Sequence, residues 1–157
     1  MSTLAGLCEL IAAVLASASA PARAPAVEAR VVVVQASGRS LEAKFDPAVP
    51  KELRTKLESS RLAYGSYKLL AKVAKPAPFG KEVAFPLPNG EKLAITVAAN
   101  PSRTHPLRVS TRILDSKKRL IQKTQLLIPY DKTFLLHRPT GASAIIMGIS
   151  AHKVAGR

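Results

Sequence analysis

The sequence predicts a mainly β fold, an antiparallel β-sandwich or small barrel of about eight strands with one short helix. Three observations carry that expectation. Apolar and polar residues alternate with period two across Lys81–Leu87, Lys92–Ala98, Leu107–Leu114 and Leu120–Ile128. Turn-forming pairs such as Asn89-Gly90 and Thr140-Gly141 punctuate these runs at short intervals. Beyond the N-terminal stretch, only the segment around residues 48–60 spaces its apolar residues with a helical period.

Each element follows from its local chemistry. Ala29–Gln35 holds four consecutive valines, whose β-branched side chains are stiff at χ1 and favour a strand. Asp46-Pro47 opens the helix: Asp is a good N-cap and Pro is tolerated at the first helical position. Val49, Leu53 and Leu57 then fall one turn apart on one face, which predicts a short amphipathic helix over roughly residues 48–60. Ser66–Ala74 reads as a strand ended by a bend at Pro76-Ala77-Pro78. Lys81–Leu87 and Lys92–Ala98 form a hairpin in which Asn89-Gly90 supplies the positive φ angles of a two-residue type I′ turn. Leu107, Val109, Thr111 and Ile113 point inward, with Arg108, Ser110 and Arg112 outward. Asp115–Lys118 turns the chain into Leu120–Ile128, where Leu120, Gln122, Thr124, Leu126 and Ile128 share one side. Pro129–Lys132 turns into a strand at Thr133–His137, and Ala144–Ala151 is the near-continuous apolar run of a buried strand.

The N-terminus predicts export. Residues Leu4–Ala20 are mostly apolar and end in small residues, as a secretory leader does. Ala18-Ser19-Ala20 and Ala22-Arg23-Ala24 both fit a small-x-small cleavage pattern, and Pro21 disfavours the first. Cleavage after Ala24 leaves residues 25–157 as a single β-rich domain in the periplasm or another exported location. Met1–Thr3 lacks Lys and Arg, and Glu9 interrupts the apolar run, so a retained helix packed on the domain and an uncleaved anchor stand as alternatives. Leu4–Cys8 superficially resembles a lipoprotein box with its cysteine displaced. No integral membrane span is expected, because the run is short for a bilayer and carries a glutamate.

Composition narrows the chemistry. At 157 residues the chain buries roughly two-thirds of its unfolded surface as one domain, enough for a core without metals or disulfides. Cys8 is the sole cysteine, which excludes an internal disulfide framework. His105, His137 and His152 lack metal-ligand spacing and have no carboxylate nearby in sequence. Neither a glycine-rich phosphate loop nor a nucleophile elbow occurs, and beyond Leu93 the acidic residues are Asp115 and Asp131 alone. The expectation is a chain that is not an enzyme and uses no cofactor or metal.

Charge is the informative feature. The net charge is +14, and nine of those charges lie between Leu93 and Arg157. Arg108 and Arg112 share an outward strand face, Lys117, Lys118 and Arg119 surround the following turn, and Lys123 lies on the return strand. These six residues are the candidate anion- or partner-binding site. Aromatic residues for base stacking are sparse here, with only Tyr130 and Phe134 beyond Phe85.

Phe45-Asp46-Pro47 through Leu57, Tyr64–Leu70 and Phe85–Gly90, followed by the run Gly141–Ala151, are similar to segments of an uncharacterised family of small exported β-rich envelope proteins of Gram-negative bacteria. The resemblance covers residues 45–151, rests on turn and core signatures, and implies an envelope β-domain while transferring no active site. The expected function is a non-enzymatic exported module that binds an envelope protein or an anionic lipid or glycan surface through its basic face. The alternative is a cytosolic nucleic-acid-binding protein with an N-terminal helix, for which the net charge speaks.

Overall fold

The computed structural model describes residues 26–60 and 62–154; the leader expected over residues 1–24 lies outside them. In chain order the elements are β1 (Ala26–Ser37), β2 (Lys44–Phe45), α1 (Lys51–Ser59), β3 (Ser66–Pro78), β4 (Glu82–Pro86), β5 (Lys92–Ala99), β6 (Leu107–Leu114), β7 (Leu120–Ile128), β8 (Phe134–Thr140) and β9 (Ser143–Lys153). The strands form two sheets, ordered β2-β3-β1-β9-β8 and β4-β5-β6-β7. Every described pairing is antiparallel except β2 with β3. This is a β-sandwich, one of the two architectures that the period-two alternation predicts.

The valine run of β1 is explained by its neighbours. Val31 and Val33 face the other sheet, in a core with Met147 and Ile149 of β9 and Phe85, Leu93, Ile95, Leu107 and Ile113 of the second sheet. Val34 and Ala36 face the opposite way, into a smaller cluster where Val49, Leu53 and Leu57 pack against Tyr67 and Ile146. A strand covered on both faces has no solvent side, so its sequence shows no alternation. The molecule therefore has three layers over this region: sheet, sheet and α1.

Helix α1 sits close to its sheet because β9 presents Gly148 beneath it. A Cβ at that position would lie 2.7 Å from Leu53 Cδ1. The helix begins at Lys51, right after Pro50, the second proline that the sequence allows at a helix start, and not at Asp46-Pro47. Asp46 has been diverted: its carboxylate accepts hydrogen bonds from the Ala48 N–H at 3.0 Å and the Leu69 N–H at 3.3 Å. Pro50 takes the N-cap position with no side-chain cap bond.

Three further local expectations are corrected. Pro76-Ala77-Pro78 does not bend away but completes β3, with Pro76 opposite Glu28 and Pro78 opposite Ala26. The two-residue strand β2 pairs only at Ser66 and Tyr67, so this end of β3 has a free edge where the missing proline N–H costs no ladder bond. The β4–β5 hairpin tip is Pro88-Asn89-Gly90, with Leu87 N–H donating to Glu91 O at 2.8 Å and Gly90 N–H to Leu87 O at 3.2 Å. Gly90 has φ +81° while Asn89 is not in the positive region. A type I′ turn needs positive φ at both central residues, and Pro88 instead sets the negative φ that opens a type I turn. Finally, a bulge between Ile113 and Leu114 leaves Ile121 without a Cα partner on β6. It takes Leu120 off the inward face that Gln122, Thr124, Leu126 and Ile128 share, and Leu120 is 55% exposed.

Candidate functional site

The β6–β7 hairpin brings the six candidate cations onto the outer face and tip of the second sheet. Arg108 lies opposite Leu127, Ser110 opposite Gln125 and Arg112 opposite Lys123. Inward-facing Leu107, Val109, Thr111 and Ile113 are buried, which holds the alternate residues outward. Arg112 also reaches across β5 to Glu82 on β4, Nη2 to Oε2 at 2.5 Å. Arg112 and Lys123 thus stand directly opposite one another, a like-charge arrangement that destabilises an antiparallel pair.

The tip is a three-residue loop, Ser116-Lys117-Lys118, built like the β4–β5 tip. Asp115 N–H donates to Arg119 O and Lys118 N–H to Asp115 O, each at 2.9 Å. The Asp115 carboxylate organises it, accepting from the N–H groups of Arg119 at 2.8 Å and Lys117 at 2.9 Å and from Arg119 Nε at 2.9 Å. Those bonds, the Arg119 N–H first among them, hold the Asp115 carboxyl below its ordinary range. At the position that Gly90 fills in the first tip, this loop places Lys118, with φ 63°.

Arg112 and Arg119 are ion-paired; Arg108, Lys117, Lys118 and Lys123 are in no ion pair among the described residues. Beside them, Leu120, Ile121 and Leu127 are exposed large apolar side chains, all on β7, the outermost strand of its sheet. The structure therefore places all six predicted cations on one hairpin beside an apolar component, of which alternation reveals Ile121 and Leu127 but not Leu120. Ile121 and Leu127 share the outward parity of Lys123, while Leu120 breaks the alternation at the bulge, which nothing in the residue pattern marks.

A second constellation lies on the opposite broad face, on the outer side of the first sheet. The Ser150 hydroxyl is 2.9 Å from His152 Nε2, and His152 Nδ1 is 2.7 Å from Asp131 Oδ1. Asp131 sits in the turn before β8 with φ 63°, and its N–H donates to Ala151 O at 2.9 Å. These residues adjoin a depression of about 130 Å³ lined by Arg30, Val32, Leu53, Lys72, Ser150 and His152 among others. The sequence carries half of this arrangement: Ser150 and His152 are two apart on a strand and so share a face. Asp131 is brought in only by the fold. His137, by contrast, meets Tyr64 Oη at 2.8 Å, and His105 meets Thr104 on an exposed loop.

Among the described residues no three His, Cys, Asp or Glu side chains converge as metal ligands, and no helix is long and apolar enough to cross a membrane. In comparisons with known proteins, no family model, no curated protein and no solved structure matches this chain.

Proposed function

We propose that this protein is an exported module that docks on an anionic lipid surface through the outer face and tip of the β6–β7 hairpin. The carrying observation is that the hairpin keeps cations where its own stability argues against them. Arg112 and Lys123 face each other across two strands. Lys118 occupies a left-handed backbone position that the equivalent tip assigns to glycine. Each choice costs the fold something, and each adds positive charge to one surface. Exposed Leu120, Ile121 and Leu127 lie on β7, the strand that carries Lys123, with Leu127 directly opposite Arg108. Cations for headgroup phosphates beside apolar side chains for the acyl boundary match the chemistry of a lipid interface better than that of a nucleic acid, which asks for stacking aromatics.

Arg108 and Arg112 are about 13 Å apart at ~3.3 Å per residue. The screening length at physiological salt is about 8 Å, so they act as separate contacts. Each cation near an anionic leaflet contributes on the order of 1 kcal/mol. Co-sedimentation with phosphatidylglycerol vesicles and with phosphatidylcholine vesicles tests the proposal. Binding to the anionic vesicles alone, weakened by salt and lowered at least tenfold when Arg108, Arg112, Lys117 and Lys118 are replaced by Ser, is the expected result. A variant that binds as the parent does overturns it, as does a parent that prefers a nucleic-acid duplex to vesicles. Export is tested separately: the protein isolated from its host should begin near Pro25.

A further inference from the structure

We infer that Ser150, His152 and Asp131 form a hydrolytic site for small acyl esters. This goes beyond the docking role, does not rest on it, and uses the opposite face of the sandwich. It also departs from the sequence-based expectation of no catalysis, which was drawn from the absence of a local motif.

The atom order is the ground for the inference. A carboxylate only accepts hydrogen bonds, so with neutral imidazole the 2.7 Å contact to Asp131 places the proton on His152 Nδ1. Nε2 is then the free acceptor, and the Ser150 hydroxyl 2.9 Å away must donate to it. That is the polarity a general base needs to take the hydroxyl proton from a nucleophile: base within reach of the hydroxyl, third group orienting the base. Ser150 is 7% exposed and paired with Arg30 of β1, one residue beyond the end of the β8–β9 pairing. Asp131 is held at a left-handed backbone angle by its N–H bond to Ala151 O, which sets its carboxylate beside the ring.

The surroundings supply the remaining parts. Arg30 on β1 is the direct cross-strand neighbour of Ser150 and lines the same depression. Its Nε is engaged by Glu28 Oε1 at 2.6 Å, while its terminal nitrogens have no partner among the described residues. Their role in the inferred site is to meet charge developing on a carbonyl oxygen. Lys72 and Glu52 line the depression as well, so its charged lining is mixed and sets no sign on the substrate. Val32 and Leu53 form its apolar wall, and a volume of about 130 Å³ admits a short acyl chain only.

The chemistry balances without a cofactor. Ser150 Oγ bonds to the ester carbonyl carbon as its proton passes to His152 Nε2. The tetrahedral anion collapses, the ester C–O bond breaks, and the imidazolium returns the proton to the departing alkoxide. Water, deprotonated by the same nitrogen, then attacks the acyl-serine, releases the carboxylic acid and restores the hydroxyl.

The test treats the full chain with a fluorophosphonate and maps the adduct by mass spectrometry, then follows hydrolysis of p-nitrophenyl acetate. We expect an adduct on Ser150 and turnover of the acetate ester. His152→Gln should slow labelling on the order of a hundredfold, the usual worth of a general base. Arg30→Gln should lower kcat/KM for the ester. No adduct, an adduct elsewhere, or labelling of folded His152→Gln at the parental rate overturns the inference. Adduct mapping on the unsubstituted chain decides the matter even if a variant does not fold.

Discussion

Lys118 and Gly90 occupy the same place in two tips of the same construction, and they differ in what that place costs. Gly90, at φ +81°, has no Cβ to clash with the neighbouring carbonyl. Lys118, at φ 63°, has one, and a left-handed L-residue pays on the order of 1 kcal/mol for it. Lys118→Gly should therefore raise stability by about 0.5–1 kcal/mol in denaturant unfolding. The same change removes a cation from the proposed docking patch, so affinity for anionic vesicles should fall. Stability and binding moving in opposite directions is the signature of a residue retained for its charge. If the glycine variant is no more stable, or binds unchanged, Lys118 has no such role.

Helix α1 shows how an element is positioned by what lies beneath it. It is nine residues long, too short to be stable alone in water, and depends on the apolar stripe of Leu53 and Leu57. Gly148 lets that stripe approach the sheet. In Gly148→Ala, the new Cβ would lie 2.7 Å from Leu53 Cδ1 and 3.4 Å from Thr133 Cγ2. Leu53 is only 2% exposed and has little room to give. The substitution should cost about 1–2 kcal/mol as overpacking. Shortening Leu53 to Ala should relieve the clash, so the double variant should lose less than the two single losses combined. Strict additivity would show that the helix does not rest on Gly148.

The two sheets are joined mainly by their apolar core, with a polar clasp at one end. Arg138 on β8 meets Glu91, the residue before β5, Nη2 to Oε1 at 2.5 Å. Both side chains are largely buried, at 19% and 11% exposure. Among the described residues, Glu91 Oε2 and Arg138 Nε are buried with no partner, so the pair is incompletely satisfied. Such a pair contributes little net stability, yet removing one half strands the other charge. Glu91→Ala should cost about 2–3 kcal/mol, whereas Glu91→Leu with Arg138→Met together should cost less, measured by thermal and urea unfolding. An Ala variant as stable as the parent would mean that water already reaches the pair.

The sequence by itself determined an antiparallel β fold of sandwich or barrel type, the inward and outward faces of β6, the hairpin connections and the six cations of the candidate face. These properties are local: period two assigns a side chain to a face, and turn residues set where the chain reverses. Tertiary structure decided the rest. Asp46 is a good N-cap in isolation, but the Leu69 N–H, brought from β3, competes for its carboxylate. Pro76 and Pro78 read as a bend until β3 is seen to have a free edge there. Leu120 is exposed because β6 and β7 differ by one residue in register. Asp131 and His152 are separated along the chain and meet only because the turn before β8 folds over the end of β9, where Ala151 O accepts the Asp131 N–H. A backbone torsion or an alternation pattern is written within a few residues, while a hydrogen bond between distant segments exists only after the core has placed both of its ends.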